Sequence, residues 1–126
     1  MKKDNIIKEK SFEFALKIIV LYKHLTEEKE FILSKQLLRS GTSIGANVEE
    51  STAAQSASDF IHKLSIASKE ARETKYWLML LQKSRLVDYD YSIYLKEIEE
   101  IINILTSIIK TMQEKNSKSK IQNSKL

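Results

Sequence analysis

Cysteine and proline are both absent from the 126 residues, and glycine occurs only twice. The missing thiols exclude disulfides, thiolate zinc sites and a cysteine nucleophile. Average usage at this length would supply roughly 6 Pro and 9 Gly, and a sheet protein spends many of both in tight turns, so an all-β fold is nearly excluded. No stretch approaches the roughly 18 consecutive apolar residues of a membrane-spanning helix. The opening Met-Lys-Lys-Asp-Asn lacks the apolar core of a signal peptide. The expectation is a soluble, cytoplasmic protein with no membrane partner. What is present, 42% hydrophobic and 30% charged residues, is the composition of one globular domain.

The net charge of +4 sits at one end. From Lys110 onward there are five Lys and one acid, Glu114, so residues 1–109 are neutral overall. Residues 116–126 are Ser, Lys, Asn and Gln with only Ile121 and Leu126 to bury, too little to offset ordering entropy. They read as a disordered basic C-terminal tail following a domain of residues 1–115. Such a tail is either a solubilising segment or a weak electrostatic arm for RNA.

At 100° per residue, four segments carry an apolar stripe. The first, about 7–25, gathers Phe14, Ala15, Ile18, Ile19, Leu21, Tyr22 and Leu25 in one arc. The second runs from near Glu30 to near Ala54 with Leu33, Leu37, Gly41, Ile44 and Val48 inward. A break at 55–59, with Ser56 or Ser58 as N-cap, precedes a third stripe of Phe60, Leu64, Ala67, Ala71, Leu78 and Leu81. The fourth, about 88–114, repeats apolar residues at 91, 94/95, 98, 101/102, 105, 108/109 and 112, with Asp88 or Asp90 as its cap. Four long segments with short links predict an all-α, antiparallel up-down four-helix bundle.

In the second helix Gln36, Arg39, Ser40, Ser43, Asn47 and Glu50 share about 100° beside the apolar arc. They form either a solvated face or a polar network, with Arg39 and Glu50 charged and Ser43 and Asn47 bridging; a buried network is tolerated only if fully satisfied. Both glycines, Gly41 and Gly45, lie in this helix, where each costs about 1 kcal/mol against Ala, which suggests close approach of another backbone. On the third helix Ile66, Trp77 and Leu80 stand among Glu70 and Glu73 away from the core. This is the composition of an interface with a polar rim.

Chemistry finds little support. A bundle di-iron site needs two Glu-x-x-His pairs, and the nearest approach is a single Asp59-x-x-His62. No metal or cofactor site and no small-molecule substrate is expected. Glu50, Glu70 and Glu73 could form a carboxylate pair for acid/base work, but with Arg39, Lys69 and Arg72 beside them they read as ion-pair partners. The hydroxyl-rich patches lack a positioned base. The expectation is a protein that is not an enzyme.

The run Gln36-Leu-Leu-Arg-Ser-Gly-Thr-Ser-Ile-Gly-Ala-Asn-Val-Glu-Glu50 is followed by Asp59-Phe60-Ile-His-Lys-Leu-Ser-Ile-Ala67 and Lys69-Glu-Ala-Arg-Glu-Thr-Lys-Tyr-Trp-Leu78. Together they resemble the bacterial four helix bundle family, also called the 23S rRNA intervening-sequence protein or S23 ribosomal protein family. The likeness covers about residues 10–112 and is densest over 36–81. It implies a bundle that assembles as a homopentamer, without enzymatic activity. On matching positions it points to Arg39, Ser43, Asn47 and Glu50 on the second helix, and to Phe60, Leu64, Ala67, Glu70 and Glu73 on the third. The interaction residues expected are Arg39, Ser43, Asn47, Glu50, Ile66, Glu70, Glu73, Trp77 and Leu80, serving self-association or, as the alternative, contact with RNA.

Overall fold

The computed structural model describes the backbone of residues 2–125 and the side chains of residues 5–119 and 121. Four helices account for nearly all of it: α1 (Lys2–Glu27), α2 (Leu33–Ser51), α3 (Ala57–Ser84) and α4 (Ser92–Lys125). No strand occurs among the described residues. Each helix packs on two others in a closed cycle, α1 on α2, α2 on α3, α3 on α4 and α4 on α1, and no Cα of α1 comes within 8 Å of one of α3 among the described residues. The partners run in opposite chain directions. Ile18 lies at Gly41 and Ser11 at Gly45; Thr74 meets Ser40 and Lys63 meets Glu50.

The helix ends follow from local chemistry. After α1 the chain enters the left-handed region at Lys29 (φ 66°). There Lys29 N–H donates to Thr26 C=O and Glu30 N–H to Leu25 C=O, the paired bonds that close a helix around a left-handed residue. Glu30, buried, turns its carboxylate back onto the start of α2. One oxygen accepts from Ile32 and Leu33 N–H at 3.1 and 3.2 Å, the other from Ser34 N–H at 2.6 Å. Helix α2 therefore starts three residues later than its periodicity suggested, because Glu30 caps it from outside. It also stops at Ser51, not Ala54. Ser56 is the N-cap of α3, its hydroxyl accepting from Asp59 N–H at 3.0 Å. Asp90 accepts from the backbone and hydroxyl of Ser92 before α4, and those bonds hold its carboxyl below the usual carboxylate range.

The core follows most of the expected stripes of α2, α3 and α4: Leu37, Ile44, Val48, Leu64, Ala67, Ala71, Leu78, Leu81, Ile98, Ile101, Leu105 and Ile108 are all buried, while Leu33 and Phe60 are half-buried. On α1 the expected arc is too wide. Phe14, Ile18, Leu21 and Leu25 are buried, but Ile19 is 47% exposed, and Ala15 and Tyr22 are half-buried. The side of α1 turned away from α2 and α4 has no helix to cover it. At the other end, the segment expected as a disordered tail continues α4 to Lys125. Of its described side chains from 113 onward, all but Asn116 are exposed; Leu126 lies outside the described residues. No helix among the described residues is long and apolar enough to cross a membrane.

Candidate functional site

The polar stripe of α2 faces α3 and divides into two separate clusters. At one end the Arg39 guanidinium reaches across to α3, where Nη1 donates to Glu70 Oε2 at 3.3 Å and Nη2 to Glu73 Oε2; Nε donates to Gln36 Oε1 at 3.3 Å. Trp77 Nε1–H donates to the same Glu73 oxygen at 3.4 Å. At the other end Glu50 pairs with Lys63 at 3.1 Å. Between them, Ser43 donates to the Ser40 carbonyl and Asn47 to the Ser43 carbonyl. These two therefore bond their own helix and do not bridge Arg39 to Glu50; four residues on one helix face are neighbours, and the nearest acceptors are backbone carbonyls.

Beneath the Arg39 cluster lies a buried hydroxyl pair. Thr74 Oγ1 is 2.8 Å from the Glu70 carbonyl and 2.9 Å from Ser40 Oγ, both side chains fully buried. Donation by Thr74 to the carbonyl leaves its lone pairs to accept from Ser40, so neither hydroxyl is orphaned. Ser40 was legible as part of the polar stripe; Thr74, a polar residue at a core position of α3, was not singled out.

The glycines meet α1. A Cβ on Gly41 would stand 2.9 Å from Ile18 Cγ2, and one on Gly45 3.3 Å from the Ser11 carbonyl oxygen. The close approach the sequence suggested is thus made within the chain, by α1. The flank of α3 is less open than its wheel position suggested: Ile66, Trp77 and Leu80 are half-buried, with Trp77 packed against the core and edge-on to Tyr76.

Exposed apolar side chains form a row on α1, besides Phe31 and Ile32 before α2 and Leu86 and Ile93 around the start of α4. On the outward side of α1, Phe12 is 65%, Leu16 50%, Ile19 47% and Val20 64% exposed, spaced 4, 3 and 1 so as to form one stripe. Beside it, Phe12, Ala15, Leu16 and Ile19 with Thr42, Gly45 and Ala46 of α2 line an open groove of about 500 Å³. The signal was present in the sequence as a second apolar row on α1, hidden because it adjoins the core row. On the outward side of α3, Tyr76 and Met79 are exposed along one face with Lys69, Arg72 and Lys83.

The three carboxylates that could form an acid/base pair are engaged: Glu70 and Glu73 with Arg39, Glu50 with Lys63. His24 lies 4.4 Å ring to ring from Tyr89, and His62 is exposed. Among the described residues no three His, Asp or Glu side chains converge as metal ligands would.

The chain matches the family described as 23S rRNA-intervening sequence protein over residues 3–107. Among solved structures it is similar to a protein of unknown function from the S23 ribosomal protein family of Bacteroides thetaiotaomicron, at 55% identity and a TM-score of 0.82, covering 86% of this chain and 98% of that one. No relative matches among curated proteins.

Proposed function

The chain belongs to the 23S rRNA-intervening sequence protein family, and from that premise we propose that it is a non-catalytic, cytoplasmic protein that self-associates as a homopentamer, each copy an antiparallel up-down four-helix bundle. The observation that carries self-association is the apolar stripe Phe12, Leu16, Ile19 and Val20, which a lone chain leaves in water. Contiguous exposed apolar surface on a small domain marks a contact with another molecule. The number five comes from the resemblance alone. The non-catalytic reading is supported by Glu50, Glu70 and Glu73, each committed to a cation and so short of the free proton acceptor that acid/base work requires. The flank of Trp77, Leu80 and Ile66, with Arg39, Glu70 and Glu73 already paired within the chain, is a secondary contact for a second copy or partner.

Size exclusion with in-line light scattering tests this reading. Five copies of a 14.6 kDa chain give a particle of about 73 kDa; a mass of 14.6 kDa at every concentration would refute self-association. If the particle forms and Trp77→Ala and Glu73→Arg both leave its mass unchanged, the α3 flank is not part of the assembly. A second reading, association with RNA, is favoured by the cations Lys69, Arg72 and Lys83 on the outward side of α3 and by the Lys-rich end of α4. Excess absorbance at 260 nm that disappears in high salt would support it, since phosphate contacts release counterions.

A further inference from the structure

The outward sides of α1 and α3 are complementary to each other, and this inference rests on the self-association reading. They lie across the helix cycle from one another, since α1 and α3 each pack on α2 and α4 and their backbones stay apart. One is apolar with acids at its margin: Glu9, Glu13 and Glu27 flank the Phe12–Val20 stripe and make no ion pair among the described residues, Glu13 lying near enough to Lys10 to help raise its ammonium. The cations there are Lys23, also unpaired, and Lys8, paired with Glu49. The other is basic: Lys69, Arg72 and Lys83 make no ion pair and alternate with Tyr76 and Met79.

Their heights along the molecule also agree. Ile18 lies at Gly41, and the adjacent Ser40 bonds Thr74, so residue 18 of α1 is level with residue 74 of α3, an offset of 56. Ser11 at Gly45 and Glu50 with Lys63 give nearly the same offset at the other end. Both helices run the same way, being each opposed to α2. At that offset Glu13 is level with Lys69, Leu16 with Arg72, Val20 with Tyr76, Lys23 with Met79 and Glu27 with Lys83, and all ten side chains are exposed. Two copies side by side in the same orientation therefore set acid against base at both ends of the face, Glu13 with Lys69 and Glu27 with Lys83, and Val20 against Tyr76 between them, with Leu16 opposite Arg72 and Lys23 opposite Met79.

We propose that the outward face of α1 in one copy packs on the outward face of α3 in the next, joining copies head to tail. Two different faces on opposite sides give a heterologous contact, which closes into a ring when the rotation per copy divides the circle. A nucleic acid fits only half of this pattern, for it would meet the basic side of α3 but be repelled by Glu9 and Glu13 on α1.

The test is mass in solution for wild type, for Leu16→Asp with Val20→Asp, for Arg72→Glu with Tyr76→Asp, and for an equal mixture of the two variants, each shown to be folded by far-UV circular dichroism. The altered side chains are all exposed, so the fold is expected to be kept. The expected result is a multi-copy wild type, two variants at 14.6 kDa, and a mixture that yields a two-copy particle because one intact junction remains. Glu13→Lys and Lys69→Glu should each weaken assembly at least tenfold, and the double exchange should restore it. A monomeric wild type would refute self-association itself. An oligomeric wild type whose mass survives either face variant would leave self-association standing and overturn this pairing of faces. So would two monomeric variants that fail to combine, or an α3 variant that loses only binding to a single-stranded RNA probe.

Discussion

At the scale of single residues, the structure turns on polar groups placed where the chain would otherwise leave backbone unsatisfied. Glu30 is the clearest case, its two oxygens accepting three N–H groups at the start of α2. Glu30→Ala is expected to cost about 1–2 kcal/mol, read as a lower urea midpoint with an unchanged slope; an unchanged midpoint would show that water caps the helix as well. Tyr91 is buried and donates to the Val87 carbonyl at 3.0 Å, and Tyr94 is buried beside it. Burial pushes both phenols from an ordinary value near 10 to about 12. The folded state thus keeps protons that the unfolded chain gives up, so this contribution is intact below pH 10 and is lost as pH rises from 10 towards 12. Thermal midpoints should fall steeply over that interval, and Tyr91→Phe with Tyr94→Phe should flatten the fall. Neither role was legible in the sequence: Glu30 marked only the approximate start of the second segment and position 91 one place in the apolar repeat of the fourth, because both roles depend on neighbours that folding supplies.

Among the helices, the contacts of α2 with α1 are set by its glycines. Gly41→Ala gains about 1 kcal/mol of helix propensity, but its new Cβ would stand 2.9 Å from buried Ile18, and overpacking a tight core costs about 1–3 kcal/mol. A net loss of about 1 kcal/mol is expected, measurable as a lower melting temperature; a gain would mean that Ile18 shifts freely. At the far end of α4, the described side chains from 113 onward bury almost nothing. Deleting residues 114–126 should change stability by less than about 0.5 kcal/mol and lower the total helical signal by about a tenth. A helical signal that does not fall would return this segment to the unstructured tail its composition suggests. The α1 to α4 seam adds ion pairs, Lys10 with Glu100 at 2.8 Å and Lys17 with Glu97. The first raises the Lys10 ammonium and lowers the Glu100 carboxyl by the hydrogen bond they share. Both are largely in water, where such pairs contribute little.

For the whole molecule, two kinds of surface matter. The α2–α3 seam carries charge that is already neutralised, Arg39 between Glu70 and Glu73. The outward sides of α1 and α3 carry apolar groups and charges, of which Glu9, Lys23 and Glu27 on α1 and Lys69, Arg72 and Lys83 on α3 make no ion pair among the described residues. Arg39→Ala should therefore act first on the bundle, loosening α2 from α3 by about 1 kcal/mol or less for so exposed a cluster, with assembly largely kept. Comparing its denaturation midpoint with its mass in light scattering separates the two effects, and loss of assembly at unchanged stability would move Arg39 from the seam to the interface.

The sequence by itself determined the helical class, most of the inward rows of α2, α3 and α4, a cap at Ser56 or Ser58 and the family, because periodicity, capping chemistry and long motifs are local properties of the chain. It also joined Arg39, Glu70 and Glu73 in one group of residues. Only the tertiary structure decided that Ser43 and Asn47 bond their own helix, that Ile19 belongs to an outer row with Phe12 and Val20, and that α1 and α3 show their outward sides in opposite directions. A helical wheel records which residues share a face; which face meets a neighbour is fixed only when all four helices compete to bury their apolar rows, leaving the surplus row of α1 in water.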